Sequence, residues 1–267
     1  MDKKEEFRDY SNVDPKVIET YKLNHKKQTF LYGISMRGSY CIKHKKAIMG
    51  IWEALELANS IIDESDPDLD LPQIYHSLQT AEGLRKAYPD RKDLHLVGLI
   101  HDLGKVMLLD EFGSLPQWSV VGDIFPVGCA FSDKIVFSEL FKYNQDTYND
   151  EHNTKYGVYK PHCGFDNVRM SWGHDEYLFN VLKHNPNCKI PYESLRIIRY
   201  HSFYAFHKEN EYTYLANEDD MKLKPMLQLF SQCDLYSKDN NNKLDLEELK
   251  PYYESLIDEY CPGKFNW

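Results

Sequence analysis

At 267 residues the chain is long enough to bury a substantial core, as one large domain or two small ones. Its 42 acidic residues against 32 basic ones give a formal charge of -10, which argues against a nucleic-acid or anionic-membrane surface. Six cysteines without a CxxC pair, and a charged N-terminus without an apolar run, predict a cytoplasmic protein with reduced thiols, no disulfide framework and no membrane span.

Residues 1–30 are polar and charged, with only Phe7, Tyr10, Val13, Val17 and Ile18 to anchor them. Such an end frays unless it docks on the body. From Lys45 to Ile62, the residues Ile48, Ile51, Trp52, Leu55, Leu57, Ala58 and Ile61 recur at helical spacing. That helix stops in the acidic, proline-punctuated stretch Asp63 to Asp70, which by itself reads as a solvated loop. A second helix fits Gln73 to Tyr88, closed by Pro89-Asp90, and a third fits Leu94 to Leu109. Between Phe112 and Tyr156 no period is sustained. Long irregular connections of this kind inside compact domains are often functional. Helical signals return at Val168 to His184, Pro191 to His207, Met221 to Tyr236 and Leu246 to Tyr260. Only Ser119-Val120-Val121 and Lys134 to Phe137 read as strand candidates. The expected fold is all-α, a single helical domain with few or very short strands.

Within the third helix, Leu96, Val97, Leu99, Ile100, Leu103 and Val106 cover more than one face, so it is buried almost all round. His101, Asp102 and Lys105 at its end then need partners, because unpaired buried charge is costly. Adjacent helical side chains point about 100° apart. A His-Asp pair therefore serves one site most easily if Asp102 bridges two close metal ions, and a buried ion-pair network is the alternative. The 11 histidines divide by setting. His25, His44, His152, His184 and His207 lie in polar surroundings and read as surface residues. His76, His101, His174 and His201 sit on helices beside apolar or aromatic neighbours. One histidine in such a place is usually a hydrogen-bonded core residue; four, with a His-Asp pair among them, point to metal. Asp234, in Leu229-Phe230-Ser231-Gln232-Cys233-Asp234-Leu235, is an acid on an apolar helical face and wants a cation. Imidazoles and carboxylates without thiolate suit iron, manganese or zinc. The residues alone leave open whether His174 or the adjacent Asp175 is a ligand.

A series of stretches resembles the myo-inositol oxygenase family, the di-iron ring-cleaving members of the HD-domain superfamily. They are Gln79-Thr80-Ala81-Glu82-Gly83, His95 to Val106, Gln117-Trp118 with Val120 to Asp123, Phe125 to Cys129, Pro161 to Gly164, Ser171 to Tyr177, His201 to Tyr204, and Tyr252-Tyr253 through Gly263. They run in the family's order through nearly the whole chain. The resemblance implies an HD-type helical catalytic domain over 31–267, with 1–30 docking as a lid. It implies two irons, mixed-valent Fe(II)/Fe(III) when active, held by His76, His101, Asp102, His174, His201 and Asp234, with Asp102 bridging. The implied catalytic residues are Lys105 and Asp102. The implied substrate contacts are Arg8, Asp63, Glu64, Ser65, Lys105, Gly122, Asp123, His201 and Ser202, which turns the acidic loop into a polyol binder. The implied reaction cleaves myo-inositol with O2 to D-glucuronate and water, a four-electron oxidation that needs no nicotinamide or flavin, and the expected state is a monomer. Asp9, where the family usually has Asn, and a longer Met107–Pro116 segment depart from the pattern without touching a proposed ligand.

Two other readings compete. An HD-type metal-dependent phosphohydrolase would use the same His-Asp pair, but Asp63 to Asp70 and a lone Lys105 suit phosphate poorly, since phosphates recruit several basic groups. Ser237 to Glu248 resembles a single EF-hand loop, yet it lacks the first Asp and has Asn242 where Gly makes the turn. A polar loop capping the helix from Leu246 is the simpler expectation.

Overall fold

Most of the expected helices form, and several stop just short of the residues that carry chemistry. The computed structural model describes Tyr10 and residues 13–42, 46–65, 72–236 and 244–267. In chain order the elements are α1 (Pro15–Lys27), α2 (Phe30–Arg37) running into a π-helical turn at Gly38–Ile42, β1 (Ile48–Met49), α3 (Ile51–Ala58), α4 (Gln73–Ala87) and α5 (Lys92–Ile100). After a long irregular connection come α6 (His174–Lys183), α7 (Tyr192–Tyr200), α8 (Tyr204–His207), α9 (Glu218–Tyr236), α10 (Leu246–Tyr260) and β2 (Phe265–Asn266). The fold is all-α, with one antiparallel pair, Ile48 opposite Asn266 and Met49 opposite Phe265. Neither strand candidate is a strand: Gln117–Ser119 is a 3-10 turn, and Lys134–Phe137 is a turn closed by Phe137 in the left-handed region (φ 53°). Among the described residues no helix is long and apolar enough to cross a membrane.

The centre is α4 packed on α5, with α9 and α7 closing the far side. Gly98 makes the α4–α5 approach possible, because a Cβ there would lie 2.7 Å from Leu84 Cδ1 and 2.8 Å from Ala81 Cα. Every residue of α5 from Asp93 to Ile100 is buried. The segment from Leu94 to Leu109 is not one helix. It leaves α geometry after Ile100, and Leu103–Leu108 is a tighter 3-10 turn. Likewise the stretch from Pro191 to His207 divides into α7 and α8 around His201-Ser202.

The N-terminal region differs most from expectation. Residues 15–27 form α1, capped by Asp14 with Pro15 at its first position, and its buried face is Val17, Thr20, Tyr21, Asn24 and His25. It docks mainly by polar bonds. Asn24 Nδ2 donates to the Trp118 carbonyl (2.9 Å), and Gln28 exchanges two bonds with the Trp172 backbone (2.6 and 2.9 Å). His25 is therefore not a surface residue. It is fully buried, stacked on Phe141 at 4.1 Å, with Nε2 2.7 Å from the Val136 carbonyl, and burial lowers its pKa to about 4. His152 and His207 are also buried, the first beside Asp146 (3.1 Å) and the second donating to the His201 carbonyl (2.9 Å). Only His184 is exposed as expected; His44 lies outside the described residues.

At the other end, Asp245 caps α10, its carboxylate accepting from the Glu247 and Glu248 N–H groups (3.0 and 3.3 Å). That is the capping loop expected there. Residues 237–243 of the EF-hand-like stretch lie outside the described residues.

Candidate metal centre and substrate cavity

Five helices deliver six side chains to one buried point. His76 comes from α4, His101 from the end of α5, Asp102 from the turn after it, His174 from the first residue of α6, His201 from the end of α7, and Asp234 from α9. The end of α5 explains why the chain leaves the helix there. Asp102 sits at φ -93° and ψ 2° below zero, in the bridge region where site residues are often found. Gly104 then lies so close to α6 that a Cβ would fall 2.1 Å from the His174 carbonyl oxygen. Only glycine lets the start of α6 approach, and this brings His174 beside Asp102.

The two carboxylate oxygens of Asp102 face different pairs of histidines. Oδ2 lies 3.6 Å from His76 Nε2 and 3.5 Å from His101 Nε2. Oδ1 lies 3.3 Å from His174 Nε2 and 3.8 Å from His201 Nε2. Asp234 Oδ1 joins the first pair, 3.0 Å from His76 Nε2 and 3.4 Å from His101 Nε2. Metal bonds of about 2.0–2.2 Å put adjacent ligand atoms roughly 2.8–3.6 Å apart, for octahedral to tetrahedral angles. Most of these separations fall in that interval.

The imidazoles are turned for ligation. The Nδ1 atoms of His101, His174 and His201 each lie 2.8 Å from a backbone carbonyl, of Gly98, Val120 and Ile198 respectively. A proton on Nδ1 leaves the Nε2 lone pair facing inward, the tautomer a metal requires. His174 Nε2 and His201 Nε2 are 3.3 Å apart. At that distance the two atoms can share either a proton or a metal ion. Asp175 stands behind this pair, 2.9 Å from His201 Nδ1 and 3.5 Å from His174 Nδ1. His174 Nε2 faces Asp102, while Asp175 lies on the Nδ1 side of both rings, and His174, Asp175 and His201 together form one of the groups that could hold a metal ion.

Charge points the same way. Asp63, Asp102, Asp175 and Asp234 have buried carboxyl groups, and Lys105 is the ammonium placed among them. Burial opposes ionisation of Asp102 and Asp234, yet the neighbouring histidines (with Lys105 for Asp102) hold both well below the usual carboxylate range. Burial would lower the Lys105 pKa, but Asp102 and Asp63 outweigh it and raise it. Lys105 Nζ is 2.8 Å from both Asp102 Oδ2 and Asp63 Oδ2, which uses two of its three protons. Gln73 Nε2 also donates to Asp102 Oδ2 at 2.8 Å. Neither Gln73 nor Asp175 carries a signal in the sequence beyond its place beside a candidate ligand.

A cavity of about 70 Å³ opens over this cluster. Its wall includes Asp63, Ser65, Lys105, Gly122, Asp123, His201 and Ser202, all expected substrate contacts, with Tyr10, Tyr21, Tyr204 and Leu235 in addition. The wall is preorganised. Asp63 Oδ1 accepts from Ser65 Oγ (2.6 Å) and Ser65 N–H (2.8 Å), while Tyr21 donates to Asp123 Oδ1 (3.2 Å). Tyr10 packs edge-on against Phe137 (5.3 Å) with its hydroxyl 3.2 Å from that of Tyr21, so this residue of the expected lid sits at the cavity. Glu64 does not reach the wall; it is exposed, and its N–H meets the Gln117 side chain at 3.3 Å. Arg8 and Asp66 to Asp70 lie outside the described residues.

Comparison with known proteins agrees with the chemistry of the site. The profile of the family described as myo-inositol oxygenase matches residues 14–267. The chain is 49% identical to an inositol oxygenase of Dictyostelium discoideum over 98% of its length and 90% of the relative's. It is 52% identical to inositol oxygenase 2 of Arabidopsis thaliana over 98% of this chain and 83% of that one. The inositol oxygenase of Mus musculus is 46% identical, over 99% of this chain and 92% of the mouse protein.

Proposed function

From the premise that this chain belongs to the myo-inositol oxygenase family, we propose that its buried histidines and carboxylates hold two irons with which it cleaves the inositol ring. The reaction converts myo-inositol and O2 to D-glucuronate and water. It balances without a further reductant: C6H12O6 and O2 give C6H10O7 and H2O. The observation that carries the di-iron assignment is the division of Asp102, with Oδ2 towards His76, His101 and Asp234, and Oδ1 towards His174 and His201. A carboxylate with each oxygen aimed at its own set of nitrogens could serve two ions at once, and an all-N/O donor set would suit iron as it would manganese or zinc, the family favouring iron.

When bound, a mixed-valent Fe(II)/Fe(III) pair supplies a Lewis acid for substrate hydroxyls and the electrons that begin O2 reduction. The chain supplies the rest. Asp63 and Asp123 accept hydrogen bonds from polyol hydroxyls, and Ser65, Ser202 and the Gly122 backbone complete the polar wall. Lys105 stays protonated, because the two carboxylates beside it outweigh its burial. Its third N–H is available to a substrate hydroxyl, where it favours the alkoxide. The positive φ of Gly122 (94°) turns that backbone where most residues would be strained. Arg8 completes the contact set in this reading, with the N-terminal segment as a lid over an HD-type helical domain. Six free thiols suit the cytoplasm, and we read the chain as a monomer there.

The same wall disfavours phosphate hydrolysis, because Asp63 and Asp123 would repel a phosphoryl group, with Lys105 the one ammonium among the described wall residues. Oxygen uptake by iron-loaded protein under partly reducing conditions, with myo-inositol present and the sugar acid assayed, decides between the readings. Equimolar O2 consumption and D-glucuronate formation is the expected result. No uptake alongside phosphatase turnover would overturn it.

A further inference from the structure

The end of α10 meets the loop between α6 and α7 through a backbone bond, in which Lys189 N–H donates to the Tyr260 carbonyl at 2.7 Å. That bond sets the neighbouring residues, Cys188 and Cys261, side by side, and both thiols are free. Disulfide-linked residues have Cα atoms about 4.4–6.8 Å apart. Residues flanking one backbone hydrogen bond fall naturally within that reach, so a bond between these sulfurs needs no element to move. We propose that Cys188 and Cys261 are a thiol pair that closes to a reversible disulfide on meeting hydrogen peroxide or a small disulfide such as oxidised glutathione.

The pair is asymmetric in the way such chemistry requires. Cys188 is partly exposed, and the Cys261 thiol and the Ile190 N–H beside it lower its pKa against the effect of burial. Cys261 is fully buried, and Cys188 and burial both push its pKa up. Cys188 is thus the attacking thiolate and Cys261 the resolving thiol. With peroxide, the Cys188 sulfur bonds to one oxygen, the O–O bond breaks, and water leaves a sulfenic acid. The Cys261 sulfur then displaces the S–OH oxygen as a second water, so two thiols give two electrons and peroxide becomes two waters. With oxidised glutathione, Cys188 displaces one glutathione thiol and Cys261 displaces the other. Burial raises the pKa of Cys41, Cys129, Cys163 and Cys233. The bond would tie α10 to the body and close a loop containing α7 and α9, which carry His201 and Asp234.

The test is oxidation of the whole protein with hydrogen peroxide and, separately, with oxidised glutathione, followed by alkylation in denaturant and peptide mass mapping. Two of the six free thiols should be lost, with a linked Cys188–Cys261 peptide that dithiothreitol reverses. The thermal unfolding midpoint should rise by several degrees on oxidation and fall back on reduction, because a crosslink over a long loop restrains the unfolded chain. Cys188→Ser, in a surface loop, should lose both the linked peptide and the rise. Cys261→Ala should take a single glutathione on Cys188 and form no crosslink. Cys188 over-oxidised to sulfinic acid without a linked peptide, or a rise of equal size in Cys188→Ser, would overturn the proposal.

Discussion

His174, Asp175 and Glu176 are consecutive in the first turn of α6, yet they enter two charge networks of opposite design. Glu176 lies between two guanidinium groups, 2.9 Å from Arg37 Nε and 2.8 Å from Arg199 Nε, and Arg199 continues to Asp166 at 3.2 Å. Every charge there has a protein partner of opposite sign. In the same turn, His174 and Asp175 join a cluster in which four carboxylates face four imidazoles and one ammonium. The first sets arginines against carboxylates at the edge of the core, the second histidines and a lysine against carboxylates within it. The matched network joins α2, α6 and α7 into a scaffold, whereas the other gathers histidines and carboxylates that could hold a metal ion. Unbalanced buried charge, not buried charge as such, distinguishes the site.

Three variants sharpen that contrast. Lys105→Ala removes the ammonium from the unmatched cluster, so iron should stay bound while turnover falls, by roughly 10²–10³-fold if its N–H acts on the developing alkoxide. Metal analysis beside steady-state oxygen uptake measures both. Loss of iron with substrate binding intact would mean that Lys105 serves the metals instead.

Glu176→Gln, in the matched network, should cost stability and leave metal stoichiometry unchanged. Burial opposes the Glu176 charge, but Arg37 and Arg199 outweigh it and bring its pKa down to about 2 from the ordinary 4.5. Between those values the unfolded chain binds the proton more readily. The contribution is therefore full above pH 4.5 and is lost as pH falls towards 2. By linkage it is worth about 3 kcal/mol at neutral pH. Denaturant titrations of both proteins at pH 7 and pH 3 should show the gap narrowing in acid; an equal gap at both would disconnect Glu176 from its arginines.

The smallest effect belongs to Gln73, which acts on the site through Asp102 alone. Gln73→Leu should weaken metal binding about 10-fold, within the range for partners that orient ligands. The dissociation constant for iron, or for manganese as a redox-silent substitute, measures it. Unchanged affinity would leave Lys105 as the sole hydrogen-bond support of Asp102 Oδ2.

These residues also mark what a sequence can disclose. His76, His101, His174, His201 and Asp234 were legible because each interrupts an apolar helical face, where a polar residue needs a reason. The all-α class followed from the same 3.6-residue period. α1 was not legible, because it docks through Asn24, Gln28 and His25 by hydrogen bonds, and hydrophobic periodicity cannot register a face that is polar. The break after Ile100 was hidden by apolar residues that continue past it; its cause is the contact of Gly104 with His174, about 70 residues away along a chain whose path the local pattern does not encode. Tyr10, Tyr21 and Tyr204 reach the cavity from segments whose own sequence gives no sign of it.

The account rests on Asp102 serving two ions, one through each oxygen. Iron stoichiometry of the purified, reconstituted protein and of Asp234→Ala, measured together, tests this most directly. Among the described ion pairs of the site, Asp234 lies with His76 and His101 and not with His174 or His201, so two irons per chain are expected in the parent and one in the variant, with the ion beside His174 and His201 retained. A parent that saturates with a single ion, or a variant that still binds two with unchanged affinity, would contradict it.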